Sequence, residues 1–124
     1  MAKSVHDNVL DAALNYIKNN ATRICVCSTE PTTYTQAETT YMLAIKTISA
    51  SDFTGPANGD TNGRKVTSNQ HTGVSITNGG TALHVAFTIA GTTLIYVTTC
   101  TSQALTGGGT VTIPAWDIEI ADPT

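Results

Sequence analysis

The first regular pattern along the chain is helical. Val5, Val9, Ala13 and Ile17 recur four apart, Leu10 and Leu14 widen the stripe, and Tyr16 sits at its border. Asp7, Asn8, Asp11, Asn15 and Lys18 take the remaining positions. This spacing predicts an amphipathic helix from about Val5 to Asn19. Ser4-Val-His-Asp7 has the form of a capping box just ahead of the stripe. The acids come early and Lys18 late, as the helix dipole prefers, and Asn19-Asn20 ends the run. A helix of this length does not hold itself in water, so its apolar face must lie on a sheet or on another chain.

From Arg23 the period changes to two. Arg23–Ser28 places Ile24 and Val26 on one strand face and Cys25 and Cys27 on the other. A short strand fits Tyr41–Lys46. The stretch Ser51–Gly63, SDFTGPANGDTNG, is dense in turn-forming residues and predicts an exposed loop. Strands are then predicted at Arg64–Asn69, Gly73–Thr77, Thr81–Ile89, Thr92–Thr101, Thr110–Ile113 and Trp116–Ala121. Pro114 allows the last two to be one interrupted edge strand. In Thr81–Ile89 the large residues Leu83, Val85, Phe87 and Ile89 alternate with Ala82, His84, Ala86 and Thr88. That spacing predicts one greasy face and one small, mixed face carrying His84. In the last strand Trp116, Ile118 and Ile120 point inward, and Asp117 and Glu119 outward. Short strands at this interval predict a mainly β fold: a single domain over residues 1–124, a β-sandwich of jelly-roll or immunoglobulin-like type with one N-terminal amphipathic helix.

Composition sharpens this picture. Charged residues are only 12% of the chain, and threonine fills 24 of its 124 positions. Threonine suits pleated, half-buried surfaces. A net charge of −3 without a Lys/Arg cluster argues against binding nucleic acid or an anionic membrane. The N-terminus has no signal-peptide pattern and no stretch is long enough to span a bilayer, so the expected setting is a cytoplasm. Three cysteines in a C-x-C plus one arrangement fit neither a disulfide framework nor a zinc knuckle, and buried free thiols are expected.

Candidate chemistry is sparse. Asp117 and Glu119 would lie about 7 Å apart on one strand face, which a solvated outer face already explains. Asn58-Gly-Asp60-Thr-Asn62-Gly63 lacks the closing glutamate of a calcium loop. Gly107-Gly-Gly109 has no helix or lysine after it to cradle a phosphate. His6, His71 and His84 are assigned to helix, loop and strand, and His84 is expected to be half-exposed and bonded to a neighbouring hydroxyl or carbonyl. No catalytic residue, metal ligand or cofactor is therefore predicted, and the function is expected to be an interface.

SVHDNVLDAALNYIKNNATRICVCSTEPTTYTQA and GTALHVAFTIAGTTLIYVTTCTSQALTGGGTVTIPAWDIEIADP resemble the two ends of a family of small virion proteins of tailed bacteriophages. There a GTA-x-HVA strand, a hairpin partner ending near Gln, a Gly-rich turn and a tryptophan-bearing last strand follow in this order. The resemblance implies a structural virion protein assembled in the host cytoplasm. Within it, the reading favoured is a capsid cement, or decoration, protein on the capsid exterior. Its partners would be the major capsid protein and itself, as a homo-oligomeric dimer or trimer, with neither nucleic acid nor membrane. The interface is assigned to the loop Asp52–Gly63, with Asp52, Phe53, Asn58, Asp60 and Asn62, and to Val5 and Val9 of the helix. Two alternatives stand beside it. One is a tail, fibre or receptor-binding module, for which Tyr34 and Tyr41 are the candidate contacts. The other is a carbohydrate-binding or hydrolytic β-sandwich.

Overall fold

The computed structural model describes residues 4–123. The chain is mainly β, with several antiparallel sheets and one long helix. Helix α1 spans Asp7–Asn20 and is followed by β1 (Arg23–Cys27), a π-helical segment (Gln36–Thr40) and β2 (Met42–Thr47). A 3-10 turn (Ala50–Asp52) leads into β3 (Phe53–Asn58), β4 (Arg64–Ser68) and β5 (His71–Ser75). The long hairpin β6 (Gly80–Ile89) and β7 (Thr93–Leu105) comes next, then β8 (Thr110–Ile113) and β9 (Trp116–Ile120). One sheet runs β2-β1-β6-β7, a second β3-β4-β9, and β5 pairs with β8.

The core forms between the first two sheets. Phe87 of β6 lies 5.2 Å from Phe53 of β3 and stacks on Trp116 of β9 at 5.5 Å between ring centroids. Ile24, Val26 and Val85 join Val66 and Ile118 in the same cluster, and Leu14 of the helix reaches it as well. Beyond α1, the central strands are buried on both faces. Ile24 and Val26 face the core, while Cys25 and Cys27 lie under the π-helical segment, where Cys27 Sγ donates to Ala37 O at 3.5 Å. Continuous burial explains why RICVC carries no polar residue after Arg23.

Four expectations change. First, α1 is capped by His6, whose Nδ1 accepts from Asn8 N at 3.0 Å, and Ser4 lies outside the helix. Second, about half of the stretch expected to be an exposed loop is strand: Phe53–Asn58 pairs with β4, Ser51 and Asp52 belong to the 3-10 turn, and Gly59–Gly63 connects β3 to β4. Phe53 is 5% exposed, and its burial is what recruits this Gly- and Pro-containing segment into a sheet. Gly55 (φ +108°) and Pro56 occupy the register irregularity, a position suited to an irregular edge strand. Third, the pleat of β6 is interrupted. The β6–β7 register shifts between Ala82 and His84, so Ala82 is buried and Leu83 is 39% exposed. Fourth, β8 and β9 are not one edge strand: β8 pairs with β5 and β9 with β4, and Pro114-Ala115 carries the chain between the two sheets.

Candidate functional site

Among the described residues, three clusters bring titratable or nucleophilic side chains together inside or across the sheets. In the first, Glu38 of the π-helical segment is buried. It accepts a two-pronged pair of bonds from Arg23 Nη1 at 3.1 and 3.2 Å and a third from Thr88 Oγ1 at 3.0 Å. Cys25 and Cys27 share this face of the sheet. Burial pushes both thiols up to about 12, and their mutual proximity adds to the effect on Cys25. Thiols held this far from ionisation are poor nucleophiles and poor metal ligands.

The second cluster centres on His71, placed in β5 rather than in a loop and fully buried. Its Nδ1 lies 3.3 Å from Lys46 Nζ. An ammonium can only donate, so Nδ1 accepts and the ring proton sits on Nε2. That Nε2 is buried without a partner, as is Ser68 Oγ. Burial first, and then the Lys46 charge, holds the imidazole below its usual pKa, against a weaker pull from Asp52.

The third cluster is on the outer face of the three-stranded sheet. Lys65 Nζ bonds Asp60 at 2.7 Å and Asp117 at 3.2 Å, and Thr67 Oγ1 donates to Asp117 at 2.7 Å. Asp117 is held below the usual carboxylate range by these bonds, with Thr67 contributing most.

The residues assigned from sequence fall in different places. Asp52 accepts from Ser49 N at 2.8 Å and is committed to capping the 3-10 turn. Phe53 is core, so it presents no contact surface. Asn58 accepts from Arg64 Nη1 at 2.7 Å, and Asn62 accepts from Asp122 N at 2.9 Å. These two and Asp60 are exposed, although each is tied to its own chain. Val5 is half-buried, and Val9 is 59% exposed. His84 is half-buried as expected, but its Nδ1 has no hydrogen-bond partner. Tyr34 is half-buried, and its hydroxyl accepts from Gly91 N at 2.7 Å.

Two further surfaces stand open among the described residues, and of them the sequence pattern assigned only Val9 of the helix. The first is the edge strand β7. It runs for 13 residues, Thr93–Leu105, as the outermost strand of its sheet. TLIYVTTCTSQAL has no charged residue and no proline, the usual devices that protect a free edge. Beside it an open, mainly apolar cleft of about 280 Å³ is lined by Val85, Thr98, Cys100, Ile113, Pro114 and Trp116. Trp116 Nε1 is buried without a partner.

The second surface is the outward face of α1. The helix is turned so that Leu10, Leu14 and Ala21 are buried, leaving Val9, Ala12, Ala13 and Tyr16 outside. The ionisable residues turn the other way. Asp11 takes Arg64 Nε at 2.7 Å and Nη2 at 3.2 Å, Asp7 is 4.0 Å from the same guanidinium, and Lys18 donates to Gly55 O at 2.8 Å. The four-residue recurrence of Val5, Val9, Ala13 and Ile17 thus straddles the boundary between the faces instead of marking the buried one.

No family model, curated protein or solved structure matches the chain. Among the described residues, no helix is long and apolar enough to cross a membrane.

Proposed function

We propose that this chain is a structural protein of a tailed-bacteriophage particle, and within that class a cement protein bound to the outside of the major capsid protein lattice. The observation that carries the proposal is β7, an uncharged 13-residue edge beside an apolar cleft. An extended segment of a capsid subunit can add to that edge through main-chain hydrogen bonds and set alternate side chains into the cleft. The resemblance of Ser4–Ala37 and Gly80–Pro123 to small virion proteins supports the phage setting. In this reading the fold is a two-layer β-sandwich, jelly-roll or immunoglobulin-like, with the four-stranded sheet facing the three-stranded one. Many copies, each held weakly, reinforce the shell through multivalency.

The test uses particles that lack the protein. They should assemble, then lose DNA sooner on heating or chelation. Added wild-type protein should restore resistance. Thr99→Lys, which puts a charge on the exposed part of β7, should fold normally and fail to restore it. Particles that keep their DNA but cannot adsorb to cells would overturn this reading and move the protein to the tail or a fibre. The contact to test would then be Tyr41, since the Tyr34 hydroxyl already serves the β6–β7 turn.

A further inference from the structure

We propose that the outward face of α1 is a homotypic dimer seam, in which it packs antiparallel against the same face of a second copy of this chain across a two-fold axis. Val9, Ala12, Ala13 and Tyr16 stand at i, i+3, i+4 and i+7, which is one continuous face of a helix. All four are exposed, and Val9 and Tyr16 are two of the three exposed large apolar residues among those described, at 59% and 53%. Asn8, Asn15 and Asn19 run along one side of this stripe, giving an uncharged polar rim. An apolar centre with an aromatic anchor and an amide rim has the composition of an interface core and its border.

The pattern specifies a second copy rather than an unrelated partner because it is complementary to itself. An antiparallel pair centred between Ala12 and Ala13 sets Val9 against the partner's Tyr16, and Ala12 against the partner's Ala13. The small residues fall at the axis, where two helices must approach most closely, and each large residue meets one of the other kind. Self-pairing also requires that no charge meet its own image. Asp7, Asp11 and Lys18 satisfy this by turning toward Arg64 and Gly55, so neither sign stands on the seam. Antiparallel packing further sets each positive helix N-terminus beside a negative C-terminus. A single helix pair is a small interface, so the dimer is weak in solution and concentration-dependent. This inference stands independently of the phage reading.

The experiment is sedimentation equilibrium of the full chain from about 10 μM to about 1 mM, a range that brackets a weak dimer. Wild type should shift from monomer to dimer across it. Ala12→Glu sets two like charges close together at the axis and should weaken the dimer by about a hundredfold or more, with an unchanged circular dichroism spectrum. Mixing Ala12→Glu with Ala12→Lys protein should restore a dimer containing one chain of each, identified by native mass spectrometry. Tyr16→Ser removes the anchor without adding charge and should also weaken the dimer, which guards against a folding defect specific to the charged variants. Wild type that stays monomeric throughout overturns the seam. So does a dimer that tolerates both Ala12→Glu and Tyr16→Ser but is broken by Thr99→Lys, which would assign self-association to β7.

Discussion

Arg64 grips Asp11 side-on, its Nε 2.7 Å from Oδ1 and its Nη2 3.2 Å from Oδ2, and so ties the middle of α1 to β4. The same guanidinium bonds Asn58 at 2.7 Å, which links the end of β3 to the helix. This clamp, together with Leu14, decides which face of α1 is buried. Arg64→Leu should therefore lower the melting temperature and speed amide exchange in α1. Asp11→Leu should do the same to a smaller extent, because Arg64 keeps Asn58. The double variant should fall by less than the sum of the two, as expected for one shared interaction.

The two faces of the helix should respond oppositely to truncation. Leu14 is fully buried, so Leu14→Ala should cost about 2–5 kcal/mol. Val9→Ala removes exposed methyls and should change monomer stability by no more than about 0.5 kcal/mol. Chemical denaturation at a concentration too low for dimers checks both. Equal losses would mean that the buried stripe is not the one described.

Much of this architecture is legible in the sequence. The helix, β1 and every strand from β4 onward follow from the spacing of apolar residues along the chain, even where burial departs from that spacing. The failures have local causes. Val9 and Leu10 are adjacent apolar residues, and the Arg64–Asp11 contact, 53 residues apart in sequence, together with the burial of Leu14 selects which one faces inward. β3 was hidden because Gly55, Pro56 and Asn58 signal a turn, while the single side chain that commits the segment to the core is Phe53. Leu83 obeys the alternation of its strand but not its burial, since a register shift against β7 breaks the pleat there. Of the assigned interface residues, Val9, Asn58, Asp60 and Asn62 are exposed, Val5 and Asp52 are half-buried, and Phe53 lies in the core. Neither the neutral edge of β7 nor the inward turn of the helix charges has a signature in one sequence, because both depend on what lies next to them in space.

Phe53 should behave as a core residue despite its turn-rich surroundings. Phe53→Ala should cost about 3–5 kcal/mol, the usual range for an emptied aromatic site. Because Phe53 touches Phe87 and Phe87 stacks on Trp116, the chain's single tryptophan, native fluorescence should shift as well. A deletion within Phe53–Asn58 should likewise unfold the protein. An unaltered melting curve for Phe53→Ala would restore the exposed-loop reading.

The thiols should separate by burial. Cys25 and Cys27 are fully buried and pushed up to about 12, so at neutral pH alkylation of either should be slow and should track transient opening of the π-helical cover. Cys100 is half-buried, and burial raises its pKa too, but access to it does not require that cover to open. It should be labelled first in a time course read by peptide mass spectrometry. Early labelling of Cys27 would show that the contact with Ala37 is open in solution.

Acid should weaken the fold through His71 before it reaches the carboxylates. The ring is neutral in the folded chain, its Nδ1 accepting from Lys46, and a second proton would set two cations 3.3 Å apart in a buried site. Burial, and secondarily Lys46, lowers the folded pKa below 6.5, whereas the unfolded chain titrates near that value. Below 6.5 the unfolded state therefore binds more protons, and stability falls as pH falls. The loss begins near 6.5, continues to the folded pKa and then levels off. Asp117 acts at more acidic pH, because its bonds to Thr67 and Lys65 hold it below the usual carboxylate range. Its contribution persists above that range and is lost only as pH drops through its own lowered value. The melting temperature should thus decline between about pH 7 and about pH 5 in wild type, ahead of any carboxylate effect. Lys46→Met should make that decline shallower without abolishing it, since it removes the second cause and leaves the first. A melting temperature flat over this interval in both proteins would mean that His71 takes up its proton in the folded state as easily as in the unfolded one.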